Sequence, residues 1–125
     1  MKKRIMIVDD NPDVLFSVKD GLEALDEGLE VLGVISGKEC LAKVRAFKPD
    51  LILMDVMMPG MDGWEVVASL KNDKDTADIP IVYLTGKTDE LSKSMGSLTA
   101  LDYIEKPFNT VDLVERINHV IKRGK

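Results

Sequence analysis

Two carboxylates, Asp9 and Asp10, follow directly on the apolar run Ile5-Met6-Ile7-Val8, and a third, Asp55, ends the run Leu51-Ile52-Leu53-Met54. A carboxylate placed straight after four buried apolar residues is costly unless it is used or paired. Brought within several ångströms of one another, the three would repel by up to about 4 kcal/mol per close pair at an effective dielectric constant of about 20. Something positive must sit among them. A hard divalent cation with oxygen ligands fits best, because Mg2+ takes a few carboxylates while keeping waters and a phosphate oxygen. No His or Cys stands at these run ends, which makes zinc or copper a poor candidate. Lys106 adds a flexible ammonium and Thr85 a hydroxyl donor. Metal, ammonium and hydroxyl together describe a cradle for a phosphoryl group.

The elements that must position these residues are legible as alternating patterns. Ile5 to Val8 reads as a buried strand, and Asn11-Pro12 opens a helix whose apolar positions Leu15, Val18, Leu22 and Leu25 keep helical spacing until Gly28. Leu29 to Ile35 reads as a second strand, and Ser36 with Glu39 has the spacing of a capping box that opens a helix through about Phe47. Leu51 to Met54 is the third strand. Asp62 with Glu65 starts a third helix with Trp64, Val67 and Leu70 inward, and Ile79 to Leu84 is a fourth strand with Pro80 near its start. A fourth helix is expected over Thr88 to about Leu98, a fifth strand over Asp102 to Glu105, and a last helix from Asn109 through Leu113, Val114, Ile117, Val120 and Ile121. Five strands alternating with five helices predict a doubly wound parallel α/β domain, because crossovers between parallel neighbours are right-handed. Ligands of such sheets bind outside the carboxyl ends of the strands, where Asp9, Asp10, Asp55, Thr85 and Lys106 all fall.

Composition excludes several functions. A chain of 125 residues with 45% hydrophobic and 31% charged residues has the profile of one domain, residues 1–125. Its 22 acidic against 17 basic residues, net charge -5, argue against direct nucleic-acid binding through a blanket of Lys and Arg. The single cysteine, Cys40, rules out an internal disulfide and a multi-thiolate zinc site. Four apolar residues after Met1-Lys2-Lys3-Arg4 are too few for a signal peptide or a membrane span, so a cytoplasmic chain with no membrane partner is expected.

With these residues assembled, the sequence resembles the receiver domain of two-component response regulators over essentially its whole length. The resemblance rests on Asp9-Asp10, on Asp55-Val56-Met57-Met58-Pro59-Gly60-Met61-Asp62-Gly63, on Thr85-Gly86 and on Tyr103-Ile104-Glu105-Lys106-Pro107-Phe108. It implies the flavodoxin-like strand order 2-1-3-4-5. It implies that Asp55 is the phosphoacceptor for the phosphohistidine of a sensor histidine kinase or phosphotransfer protein. Asp9, Asp10, Asp55 and the backbone carbonyl of Met57 match the family's ligands for Mg2+, or another hard divalent cation such as Mn2+. Lys106 and Thr85 match its phosphoryl-contacting positions, and Pro107 a position where a cis peptide usually aims the lysine inward. Thr85 and Tyr103 match the switch residues that couple phosphorylation to the face of the fourth helix, fifth strand and fifth helix. The implied protein is a signalling switch, not an enzyme acting on a separate substrate. It works through an unknown downstream protein target, as a monomer or as a phosphorylation-dependent dimer. Thr99-Ala100-Leu101-Asp102-Tyr103 departs from the family's common Gly-Ala-Asp-Asp-Tyr, which bears on the output face. Met57 and Lys87 occupy positions that vary in the family and flank the path expected for hydrolytic water.

Plainer readings stand beside these. Asp9-Asp10 alone is a helix-start cluster favoured by a helix dipole, Thr85 a strand-end hydroxyl, Lys106 a surface lysine and Tyr103 a half-buried strand aromatic. Met54, Met57, Met58 and Met61 read as packing, since thioethers suit a hard cation poorly. His119 reads as exposed and not a phosphodonor, Trp64 as a packing residue, and Cys40 as a small buried hydrophobe. The rival functions are a receiver-like interaction module that takes no phosphate, an aspartyl phosphatase, for which the chain has no room for a cap, and a nucleotide binder, for which it lacks a Gly-rich turn.

Overall fold

The computed structural model describes residues 2–56, 63–85, 102–105 and 108–123. Strands β1 (Lys3–Val8), β2 (Leu29–Val34), β3 (Leu51–Asp55), β4 (Ile81–Thr85) and β5 (Asp102–Glu105) form one parallel sheet in the order β2-β1-β3-β4-β5. Helices α1 (Pro12–Leu25), α2 (Gly37–Phe47), α3 (Gly63–Lys71) and α4 (Thr110–Arg123) are the helices among the described residues. The helix expected over Thr88 to about Leu98 lies outside them.

Successive strand residues point to opposite faces, and the sheet uses this to divide the interior into two cores. Ile5, Ile7, Leu51, Leu53, Val82 and Leu84 pack with the buried faces of α1 and α4. Met6, Val8, Ile52, Met54, Ile81 and Tyr83 pack with those of α2 and α3. Strand segments covered on both sides are apolar at successive positions, and this is why Ile5 to Val8 of β1 and Leu51 to Met54 of β3 stand out as uninterrupted runs.

Caps set the helix ends. The Asn11 side chain accepts from the Asp13 N–H at 2.9 Å with Pro12 at the first position of α1, and Ser36 Oγ accepts from the Glu39 N–H at 3.0 Å. Glu39 reaches back past the cap to the Ile35 N–H (2.8 Å), so β2 stops at Val34 and Ile35 turns out to solvent, one residue short of the expected strand end. α1 ends at Leu25, whose side chain is exposed rather than inward because Leu22 and Leu29 already fill that end of the core. β4 begins at Ile81, after Pro80, which has no N–H for the ladder; its carbonyl accepts from the Ile52 N–H at 3.0 Å.

Cys40 is fully buried on α2, and burial pushes its thiol up to about 12. The thiolate is the reactive form, so the native protein is expected to resist a thiol reagent at mildly alkaline pH and to label fully once unfolded. Rapid labelling of the folded chain would contradict this packing.

Candidate functional site

The β1–β3 register pairs Ile5 with Leu51 and Val8 with Met54. One step further along, Asp9 stands beside Asp55 on neighbouring strands about 4.8 Å apart. The Asp9 N–H still donates to the Val34 carbonyl (3.1 Å), which keeps Asp9 in line with the sheet as the chain leaves β1. Its Oδ1 accepts from the Asn11 N–H at 3.0 Å, and Asn11 in turn caps α1. The turn therefore hands the chain from strand to helix with both carboxylates next to the positive end of the α1 dipole.

Asp9 and Asp55 are buried, whereas Asp10 is exposed. One carboxylate oxygen from each of Asp9, Asp10 and Asp55 lies within 4.8 Å of the other two. At that spacing each pair repels by roughly 3 to 4 kcal/mol at an effective dielectric constant of about 20. Mg2+–oxygen bonds of about 2.0–2.1 Å set adjacent ligands about 3 Å apart and opposite ones about 4 Å apart. Three hard oxygens already gathered on that scale fit such a cation.

Asp55 is fixed from behind by a glycine. A Cβ on Gly63 would sit 2.5 Å from the Asp55 carbonyl oxygen and 2.9 Å from Val56 Cα, so the first turn of α3 lies directly on the backbone of the carboxylate residue. The Gly63 N–H donates to the Val56 carbonyl (3.0 Å) and the Val56 N–H to the Leu84 carbonyl (3.3 Å), tying α3, β3 and β4 together there. Next to Gly63, the half-buried Trp64 ring packs on Tyr83 at 4.7 Å between centroids with a 46° tilt. Burial pushes the Tyr83 phenol up from its usual range.

The fold brings the carboxylates of Asp9, Asp10 and Asp55 together at one edge of the sheet, the placement expected from their positions at the strand ends. Thr85 closes β4 with its backbone paired to Glu105, one residue past the Leu84 that pairs with Asp55. Tyr103 pairs with Tyr83 across β4 and β5 and is 39% exposed. Met57, Lys106 and Pro107, and the side chain of Thr85, lie outside the described residues. His119 is exposed and shares with Tyr103, Phe108, Glu115 and Arg116 an open groove of about 500 Å³ between β5 and α4. Sequence reasoning assigned no role to Gly63, although a glycine at a helix start is a weak choice by propensity and was the available signal. It also missed Arg116, whose Nη1 donates to the Tyr103 carbonyl at 2.9 Å, and Thr76, whose buried hydroxyl donates to the Leu70 carbonyl at 2.6 Å.

A family model described as the response regulator receiver domain matches residues 5–118. The chain belongs to that family. PilH of Pseudomonas aeruginosa is 37% identical to this receiver over 94% of the receiver and 97% of its own length. The DNA-binding response regulator MtrA of Mycolicibacterium smegmatis is 36% identical over the whole receiver but only 53% of its own length, so the receiver spans about half of that relative. Among solved structures, the chemotaxis protein CheY4 of Vibrio cholerae superposes with a TM-score of 0.87 at 30% identity, covering 96% of the receiver and 99% of that chain. Membership places the receiver among the signalling switches of two-component systems. No described helix is long and apolar enough to cross a membrane.

Proposed function

We propose that this receiver, spanning residues 1–125, is a phosphorylation-dependent cytoplasmic switch in which Asp55 is the phosphoacceptor. The observation that carries the reading is the convergence of the Asp9, Asp10 and Asp55 carboxylate oxygens within 4.8 Å at the carboxyl edge of the sheet. An Asp55 oxygen attacks the phosphorus of a phosphohistidine on a sensor histidine kinase or phosphotransfer protein. A P–O bond forms as the P–N bond breaks, and the bond's electron pair returns to the imidazole nitrogen. Asp9, Asp10, Asp55 and the Met57 carbonyl would hold Mg2+, or Mn2+ in its place. The bound ion supplies neutralising charge for the phosphoryl oxygens. Lys106 and Thr85 contact the same oxygens on our reading.

The acyl phosphate draws the Thr85 hydroxyl inward, and Tyr103 turns from its exposed position into the space vacated. Altered packing then changes the output face, which the family resemblance assigns to the fourth helix expected from the sequence, β5 and α4. A downstream protein reads that face, with the receiver acting as a monomer or a phosphorylation-dependent dimer and with no direct contact to nucleic acid or membrane.

The deciding experiment is intact mass after incubation with acetyl phosphate, with and without Mg2+. One phosphoryl group per chain, dependent on Mg2+ and released by hydroxylamine, is expected. No uptake from acetyl phosphate or from a kinase donor would leave a phosphate-independent interaction module in its place.

The cation site has its own prediction. Binding to the native state alone raises stability in proportion to the logarithm of ligand concentration over Kd. Millimolar Mg2+ is expected to raise the urea midpoint of the wild type, followed through Trp64, the single tryptophan. In Asp9→Asn the apparent Mg2+ affinity should fall about tenfold or more, since one full ligand charge is lost. An unchanged affinity would remove Asp9 from the ligand set.

A further inference from the structure

β2 is an end strand of the sheet, and an end strand presents alternate residues outward with their N–H and C=O groups unclaimed by a neighbour. The parallel β1–β2 register runs from Lys3 with Leu29 to Val8 with Val34. Bonds at its two ends, from the Lys3 N–H to the Gly28 carbonyl (2.7 Å) and from the Asp9 N–H to the Val34 carbonyl (3.1 Å), commit the even-numbered residues to β1. The backbone groups of Leu29, Val31, Gly33 and the following Ile35 therefore face the open edge. Such a row templates pairing with another strand.

Side chains from two helices sit on this row. The Val31 N–H donates to Glu23 Oε2 (2.9 Å), and Lys19 Nζ donates to the Val31 carbonyl (2.8 Å), while Lys19 and Glu23 are themselves paired at 3.0 Å. The Ile35 N–H donates to Glu39 Oε1, and Glu39 is paired with Lys43 at 3.1 Å. Leu29 is closed locally by the Asp26 carbonyl (3.1 Å). Among the described residues, none bonds the outward groups of Gly33. Exposed i,i+4 ion pairs contribute little to stability on their own. Here Lys19 and Glu23 spend their hydrogen bonds on the N–H and the C=O of one edge residue, which surface pairing alone does not require.

We infer that Lys19, Glu23 and Glu39 guard the β2 edge, and that removing them opens it to antiparallel pairing with the same edge of a second copy of this chain. The strand suits that partner. Leu29-Glu30-Val31-Leu32-Gly33-Val34-Ile35 is rich in β-branched and apolar residues, ends in an exposed isoleucine, and would meet itself across a two-fold axis near Gly33. The guards also hold their charge. The Val31 N–H, then Lys19 and Lys2, keeps the Glu23 carboxyl below the usual carboxylate range, and the Ile35 N–H, then Lys43, does the same for Glu39. With folded values depressed, this closure is present above the ordinary glutamate range and is lost as pH falls through the lowered values.

Sedimentation of the unphosphorylated Lys19→Ala/Glu23→Ala variant at neutral pH tests the inference, with circular dichroism confirming its fold. Concentration-dependent association beyond that of wild type is expected, and adding Ile35→Lys, which replaces an exposed apolar edge residue with a charge, should reverse it. Independently of association, the Val31 amide of Glu23→Ala should exchange about tenfold faster or more, with the Gly33 amide unchanged. A folded double variant that sediments as wild type does, association that survives Ile35→Lys, or a Val31 amide that keeps its protection would overturn the assignment.

Discussion

Asp55→Asn is expected to abolish phosphoryl uptake, a fall of about a thousandfold or more, equivalent to at least about 4 kcal/mol of barrier. The amide oxygen is a poor nucleophile and cannot form the acyl phosphate, while its shape is nearly that of the carboxylate. The fold should survive, because Gly63 packs on the carbonyl oxygen of residue 55 and not on its side chain. The change also takes one charge out of a cluster whose oxygens lie within 4.8 Å of each other. Intact mass after acetyl phosphate and Mg2+ reads the effect, with Trp64 fluorescence confirming a native environment. Persistent single phosphorylation of the variant would move the acceptor to another residue, and Asp9 and Asp10 would be the first to test.

The second large effect is structural. Alanine has the better helix propensity by about 1 kcal/mol, so Gly63→Ala at an ordinary helix start would be neutral or stabilising. Here the new methyl would stand 2.5 Å from the Asp55 carbonyl oxygen and 2.9 Å from Val56 Cα, both backbone atoms at the end of β3 that the Val56 N–H bond to the Leu84 carbonyl holds in place. Overpacking of this kind costs about 1–3 kcal/mol, and the backbone partners put it at the upper end or beyond. A net loss of about 2–3 kcal/mol is a large share of a stability of roughly 5–15 kcal/mol, and it lowers Tm by about 10 °C in a chain of this size. Because relief of the clash moves α3 off the Asp55 backbone, phosphoryl uptake should slow as well. A Tm within about 2 °C of wild type would show that the close approach relaxes at little cost.

Much of this was legible because the fold is built on strands buried on both faces. Where they are covered such strands are apolar at successive positions, so Ile5 to Val8 and Leu51 to Met54 announce themselves, and a carboxylate at the end of each is conspicuous because burying it is expensive. What the pattern could not supply was where a ladder stops. Ile35 and Ile79 are apolar yet lie outside the strands, one because Glu39 claims its N–H and the other because it precedes a proline. Leu25 keeps helical spacing but has no core left to enter. Close approach is likewise invisible in composition: Gly63 belongs to the quoted run after Asp55, and only geometry shows that no larger residue fits. Lys19 and Glu23 look like a routine surface pair in one dimension, since the edge residue they close, Val31, is eight or more positions away. The roles of Met57, Thr85 and Lys106 still rest on the family resemblance.

The division of the interior into two cores has a consequence for how such a protein can change over generations. α3, whose first residue abuts Asp55, draws its buried contacts from one core, and α4, which belongs to the output face proposed above, draws Leu113, Ile117, Val120 and Ile121 from the other. Met6 and Ile7 are adjacent in the chain yet belong to different compartments. Substitutions that re-seat α4 for a new listener can therefore accumulate without touching the α3 contacts behind Asp55, while Ile7 and Leu53, which share the α4 core, set the limit on how far it can shift. The audience can drift only as far as the strands that carry the chemistry allow.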